Sequence, residues 1–393
     1  MTTAHGRIAP LDFIRGVAVM GILLANLPAF GLPEAAYFSP RAWGGTSPAE
    51  LAAWFVNFVL VEGRMRGLFS FLFGASMLLV IDRAGDRAAR VHFARMAILF
   101  AIGCAHLYLV WSGDILAHYA LVGGVAFLFV QLPTRALLWA ASTTLALTFI
   151  WSGLGTLAAF AAGPDAPGFA SGFGVPPASH IAAEISAIRG SFADGVGWRW
   201  RTASTPLVFL KAVGLETLSA MLFGMAAYRS GFLAGTWKRA RYRRWATVCI
   251  GLSLAGYAVL GANTLVQHFD QRWVFFASIF ASAPFRVLGF VGYAALLMLL
   301  FRPGGWWSER IAAAGRAAFT NYLGTSLAMA LIFNGYGLAL FGRLSRAELY
   351  WLGPLAWAAM LAWSQPWLRR YRHGPLEWLW RSLARRHMEP LRR

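Results

Sequence analysis

Apolar residues in this 393-residue chain gather in long blocks, with neither the alternation of strands nor the narrow stripe of a surface helix. Ten such blocks can be drawn, at residues 11–30, 51–81, 93–111, 115–131, 137–162, 206–228, 245–265, 281–301, 319–340 and 350–368. A helix needs about 20 apolar residues to cross a bilayer. The pattern therefore predicts an all-α membrane protein, a polytopic bundle of about ten transmembrane helices. One of them is broken. The block at 51–81 is too long for one straight crossing and carries Glu62, Arg64 and Arg66 between Gly63 and Gly67. A discontinuous or re-entrant helix beside a cavity is how a membrane protein tolerates such a run. Ahead of it, Ser47 is placed to cap the helix, with Glu50 at the capping-box position.

Residues 1–162 form a first half of five spans and residues 205–370 a second. Residues 163–204 form an extracytoplasmic loop, polar and rich in Gly and Pro, with a short surface helix expected over 178–192. Residues 371–393 form a basic cytoplasmic tail. Composition agrees: 58% of residues are hydrophobic and only 13% charged, with mean hydropathy +0.56, whereas a soluble domain is about 25% charged. The net charge of +19 would point to nucleic acid in a soluble protein. Here the arginines cluster between blocks, which predicts cytoplasmic loops against anionic membrane lipids and no nucleic-acid partner. Arg83, Arg87, Arg90 and Arg95, the run from Lys238 to Arg244, and the tail all fall on one side if both termini are cytoplasmic. The first block is too long for a cleaved signal and is expected to stay as a helix. Cys104 and Cys249 lie within spans and read as small packing residues. The strings Ser70–Gly74 and Ser219–Gly224, both on inward-running spans, hint faintly at related halves.

Polar residues inside the blocks carry the chemistry, because ionisable groups in lipid face a bundle interior or a watery cavity. They are Asp12, Arg15, Asn26, Glu62, Arg64, Arg66, His106, Asp114, His118, Lys211, Glu216, Arg286, Asn321 and Tyr322. Asp12 and Arg15, three apart, share a helical face as a packing pair or a functional one. Asp114, eight residues beyond His106 across Gly113, is either the cap of the next span or the carboxylate that orients His106 as a general base. His118 is one turn from Asp114 and positioned to pair with it. Glu62, Arg64 and Arg66 are either a clamp for an anionic ligand or an internal salt-bridge set. One wet chamber shared by Arg15, Glu62 and His106 is the central expectation. No metal-ligand string, phosphate loop, dinucleotide fingerprint or hydrolase elbow is present.

The segments RIAPLDFIRGVAVMGILLAN, EGRMRGLFSFLFGASM, GDILAHYAL and AAAGRAAFTNYLGTSL, with the closing GPLEWLWR, follow one another in the order found in a known family. The chain resembles the YeiB-like family of bacterial inner-membrane proteins, whose carboxy-terminal part is a domain of unknown function. That family looks related to the transmembrane acyltransferase superfamily. The resemblance implies a donor such as acetyl-CoA, or another acyl-CoA, used at the cytoplasmic face and an envelope glycan or lipid acceptor across the membrane. Surface-glycan acyltransferases of that superfamily carry an arginine and, after ten intervening residues, a histidine in the first span. Arg15 matches the arginine, and Asn26 stands where the histidine would be. The base is therefore assigned by chemistry to His106, oriented by Asp114. Asp12, Arg15, Asn26, Glu62, Arg64, Arg66, His118, Glu216, Arg286, Asn321 and Tyr322 are assigned to substrate or donor binding, with no metal. A transporter or lipid flippase with an intramembrane polar site is the rival reading, and a homodimer is compatible with either.

Overall fold

The computed structural model describes residues 8–164, 166 and 172–392. Arg7, at the head of the first motif, and residues 165 and 167–171 of the predicted loop lie outside the described residues. Among the described residues the chain is helical, with no β-strand. Six helical segments have the length and hydropathy of a membrane crossing. The ten predicted passes each coincide with a helix or a pair of helices in series.

The first half runs α1 (Ala9–Gly31), α2 (Pro48–Leu60), α3 (Arg64–Ala84), α4 (Ala88–Leu109), α5 (Leu116–Ala126) and α6 (Thr134–Ala162). The predicted break lies between α2 and α3 and is tighter than expected, at 61–63. Gly63 turns the chain there at φ +69°, and Arg64 already begins the next helix. Ser47 caps α2, accepting from the Glu50 amide at 3.5 Å. The capping box is not completed, because the Glu50 carboxylate instead accepts from the Ala347 amide at 3.2 Å.

Among its described residues, the segment 163–204 holds α7 (Ala178–Arg189) and α8 (Phe192–Thr202) where one surface helix was predicted. Ser191 and Asp194 form a full capping box that restarts the chain after Gly190. The second half runs α9 (Pro206–Arg229), α10 (Arg239–Val266), the short α11 (Gln271–Phe275), α12 (Ala283–Leu300), α13 (Trp306–Arg316), α14 (Ala318–Phe333), α15 (Arg346–Leu349), α16 (Leu352–Arg370) and α17 (Pro375–Arg385). A widened π turn at Phe276–Ala281 joins α11 to α12, and α13 bends into α14 at Ala317.

The two Ser-to-Gly strings lie against each other. Helices α3 and α9 cross where a Cβ on Gly74 would sit 2.0 Å from the Met221 carbonyl, and one on Gly224 1.8 Å from that of Phe71. Only glycine permits this approach, as in small-residue packing between membrane helices. Helix α6 shows how faces are divided. Trp139, Ile150 and Leu157 point outward, more than half exposed. Thr144, Thr148, Ser152 and Thr156 form a buried ladder, each hydroxyl bonded to a carbonyl one turn earlier. Outward apolar and inward polar is the arrangement lipid demands.

Candidate functional site

The chain places an acid beside an imidazole by a tight turn. Helix α4 ends at Leu109, and residues 110–115 reverse direction into α5. Asp114 Oδ1 thereby meets His106 Nδ1 at 2.8 Å, while Oδ2 accepts from the Ala117 amide at 2.9 Å. One oxygen thus accepts from the first turn of α5 and the other lies against the ring. In a neutral ring whose Nδ1–H donates to this carboxylate, Nε2 keeps its lone pair. That atom is buried and has no partner among the described residues. Two rings confine it, Trp111 at 6.2 Å and Tyr322 at 5.6 Å between centroids. The Tyr322 hydroxyl is also buried and lies near the Ile115 backbone without making a hydrogen bond.

Tyr322 forms part of the floor of a cavity of about 310 Å³, beside Leu116 and Tyr119. Asp12 and Arg15 stand in its wall, paired at 2.9 Å, with Arg15 also donating to Ser76 at 2.8 Å. The cavity opens at the end of the bundle that holds both the start of α1 and the tail helix α17, so the two termini share one face. Its mouth carries Arg83, Arg95, Arg316, Arg372, His373 and Arg381. Glu377 binds the tail to the start of α14, accepting from the Phe319 amide at 2.7 Å, the Thr320 amide at 3.1 Å and the Thr320 hydroxyl at 2.6 Å. Burial pushes the Glu377 carboxyl above its ordinary range, an effect these donors oppose. Asn26 lies off the cavity. It shares with Tyr322 a void of about 10 Å³, at the lower limit for one water.

The remaining candidates form a second, separate group around the helix break. Glu216 bonds Arg66 at 3.3 Å and Arg286 at 2.5 Å. Arg286 also donates to the Ser278 carbonyl at 2.6 Å and to the Ser282 hydroxyl at 2.7 Å. Arg64 donates to Ser253 at 3.0 Å and stacks on Tyr257 at 3.7 Å. Glu62 lies beside Arg64 and Arg286 in this group, with Oε2 unpartnered among the described residues. His118 turns away from Asp114 and bonds the Thr217 hydroxyl at 2.9 Å. These residues are absent from the cavity lining.

The expectation of one shared chamber is thus corrected. Arg66 and Ser76 are ten residues apart on α3, about 15 Å along the axis, so the break and the cavity occupy different levels of the bundle. The pairing expected for His118 is corrected as well, because its ring points to α9 instead. Asn321 is consumed by packing: its amide donates to the Ala314 carbonyl at 3.0 Å and to Ser364 at 3.3 Å, and its oxygen accepts from Trp363 at 2.8 Å. Sequence reasoning missed Ser76, Tyr119 and Arg95, which line the cavity. The first two sit in apolar runs with nothing to distinguish them, and Arg95 was read only as a topology charge.

Comparison with known proteins places the chain. Residues 227–387 match the family model described as "Protein of unknown function (DUF418)". Over 408 residues the chain is 34% identical to the Escherichia coli protein named "Uncharacterized protein YeiB", covering 98% of each. It is 30% identical to the Bacillus subtilis "Uncharacterized protein YxaH", covering 99% of this chain and 97% of that one. A 39.9 kDa protein from the amylase 3' region of Bacillus acidopullulyticus is 25% identical over 98% of this chain. With such identity sustained end to end, the chain belongs to the YeiB-like family.

Proposed function

We propose that this protein is an acyltransferase of the bacterial inner membrane, moving an acyl group, an acetyl group by preference, from acyl-CoA to a hydroxyl or amine of an envelope glycan or lipid. The observation that carries the reading is His106 Nε2, buried without a partner among the described residues, on a ring that packs against Tyr322, which lines a cavity rimmed with arginine; His106 itself is not in the cavity's lining. The cavity's face is assigned to the cytoplasm by the positive-inside rule, which puts the donor there.

In the reaction, His106 Nε2 takes the proton from the acceptor hydroxyl as its oxygen attacks the thioester carbonyl. Asp114 stabilises the imidazolium that forms. The Tyr322 hydroxyl is placed to donate to the oxyanion of the tetrahedral intermediate. Collapse breaks the carbon–sulfur bond, and the proton on Nε2 passes to the leaving thiolate. Ester and free coenzyme A are the products, and the base is regenerated. Trp111, stacked on Phe30 at 3.9 Å, also packs against His106.

One observation favours the transporter reading: Arg66, Glu216 and Arg286 form a charged cluster at a broken helix, as in translocation sites. The two separate by assay. Purified protein in lipid discs with labelled acetyl-CoA is expected to release coenzyme A, and His106→Gln to abolish the release. Turnover unchanged in His106→Gln overturns the assignment of the base. Cargo flux in proteoliposomes without acyl-CoA establishes the rival.

A further inference from the structure

Helices α2 and α10 touch at one level and flank a groove beyond it. Gly261 of α10 lies against α2, where a Cβ would sit 2.9 Å from the Phe55 ring and 3.2 Å from that of Phe58. Past this contact is an open groove of about 1,050 Å³. Its sides are Leu51, Ala52 and Phe55 on α2 and Ala262 and Leu265 on α10. Arg41 and Thr46, ahead of α2, and His268, after α10, complete it. Both helices belong to segments with the length and hydropathy of a membrane crossing. The apolar sides therefore face lipid chains. The polar residues stand where the apolar stretches stop, at headgroup level. This end of the bundle is remote from the cavity. Helix α1 starts at the cavity's mouth and finishes at this end, 23 residues later, or about 34 Å away.

The polar end is built on a strained corner. His268 and Phe269 are consecutive at φ +49° and +57°, a region that residues of this bulk rarely enter. The Phe269 ring is buried, edge-on to Trp54 at 4.7 Å, and this contact anchors the corner. The His268 carbonyl is thereby presented to Arg41, whose Nη1 donates to it at 2.7 Å. Strain of this kind gathers at ligand sites. Arg41 is exposed, and this is its one hydrogen bond among the described residues. The carboxylates closest along the chain are engaged elsewhere. Glu50 accepts from the Ala347 amide at 3.2 Å, and Asp270 accepts from Arg272 Nε at 2.9 Å and Nη2 at 2.8 Å. A guanidinium steadied through one nitrogen keeps the rest of its fork for an anion.

We propose that this groove is a site for one anionic phospholipid. Its phosphate sits at Arg41, with the His268 ring and the Thr46 hydroxyl beside it. One acyl chain lies between Leu51, Ala52 and Phe55 on one side and Ala262 and Leu265 on the other. Two features select this occupant. Ala52 and Ala262 are exposed, so a lipid chain reaches the groove from the bilayer. The cation at its end has no acid of its own, and a phosphate supplies one. The site is separate from the cavity and does not rest on the acyl-transfer reading. It bears on the helix break instead. Helix α2 runs from the groove toward the turn at Gly63, and α10 carries Tyr257, on which Arg64 stacks at 3.7 Å. A lipid seated here braces both helices.

The test is native mass spectrometry of the full-length protein in detergent, titrated with phosphatidylglycerol and, separately, with phosphatidylcholine of the same chains. The expected result is one phosphatidylglycerol bound several-fold more tightly than phosphatidylcholine, as a basic residue at the headgroup favours an anionic lipid. Arg41→Gln should weaken that binding about tenfold or more, the scale of one charge-assisted hydrogen bond. Arg41→Lys keeps the charge and should lose less. Ala262→Phe fills the groove from an exposed position, without entering the core, and should weaken binding as strongly as Arg41→Gln. Equal retention of the two lipids overturns the anionic headgroup. Phosphatidylglycerol held fully by both Arg41→Gln and Ala262→Phe puts the lipid elsewhere and overturns the site. Loss in only one of them overturns it too: Arg41 alone marks a surface anion site, and Ala262 alone a lipid held by its chain.

Discussion

At the scale of single residues, the account turns on what Asp114 does with its two oxygens. One fixes the start of α5 and the other fixes the His106 tautomer. Asp114→Asn keeps the shape and a weaker cap but offers Nδ1 the wrong partner, so turnover is expected to fall by about 10²–10⁴-fold, within the usual range for general-base catalysis. Thermal unfolding followed in parallel should move little; a large fall in stability with proportionate loss of activity would assign Asp114 to capping alone. Tyr322→Phe removes one oxyanion donor and should lower kcat about 10²-fold with KM nearly unchanged. A rise in KM with kcat intact would make Tyr322 a binding residue. Glu216→Gln strips Arg66 and Arg286 of their shared carboxylate. It is expected to destabilise the fold by up to about 3–5 kcal/mol, read as a lower midpoint in thermal unfolding, because the buried Arg286 loses its carboxylate while facing the partly buried Arg66.

At the scale of elements, helix contacts explain which sequence signals were legible. The passes were readable because a bilayer imposes one length on every apolar block. The His106–Asp114 pair was readable because only eight residues and one turn separate its members. Glu216 declared a need for a partner, but Arg66 and Arg286 lie 150 and 70 positions away, beyond any local spacing rule. Asn321 resembled a site residue because it is polar in an apolar run, yet a buried amide also serves to bolt α14 to α13 and α16. The crossing of α3 and α9 makes its own prediction. Gly74→Leu must push aside backbone, costing about 1–3 kcal/mol or more, and should be read in a lowered unfolding midpoint; a midpoint equal to the parent protein would mean that the two helices do not meet there.

At the end of the bundle where α1 finishes, α7 is tied to the chain after α1 by Glu184, which accepts from the Glu34 amide at 3.0 Å. Burial raises the Glu184 carboxyl to about 7, and the nearby Glu34 charge adds to the rise while the amide bond opposes it. The folded form therefore holds its proton more tightly than the unfolded chain does, whose carboxyl titrates near 4.5. The stabilisation is fully present below that lower value and is lost as pH rises through about 7. Hydrogen exchange of residues 178–189 should quicken, beyond the intrinsic rate, as pH rises from about 4.5 to about 7, and Glu184→Gln should flatten the change. A profile identical in both proteins would show that Glu184 is not the titrating group.

At the scale of the whole molecule, the chain is a membrane bundle with two internal polar regions at different levels. One is an ionic cluster at a broken helix, bonded within itself and to Ser253, Ser278 and Ser282, with Glu62 Oε2 unpartnered among the described residues. The other is an arginine-rimmed cavity with a free imidazole behind its floor. The sequence alone made these look like one chamber, since every ionisable residue in lipid demands an interior position but says nothing of its depth. The tail's place across the cavity was equally hidden, because Glu377 and Thr320 are joined across 57 positions. Depth separates the two regions: near the break Glu216 is shared by Arg66 and Arg286, and at the other level arginines line an open cavity.

The central claim is that the cavity delivers a thioester to His106. The most direct measurement is a density map of the protein in lipid discs with a non-hydrolysable acetyl-CoA analogue. The account predicts the nucleotide end among Arg95, Arg316 and Arg381, and the acyl carbonyl beside Tyr322 within reach of His106 Nε2. An analogue seated against Arg66 and Arg286, or bound outside the bundle with the cavity empty, would contradict it.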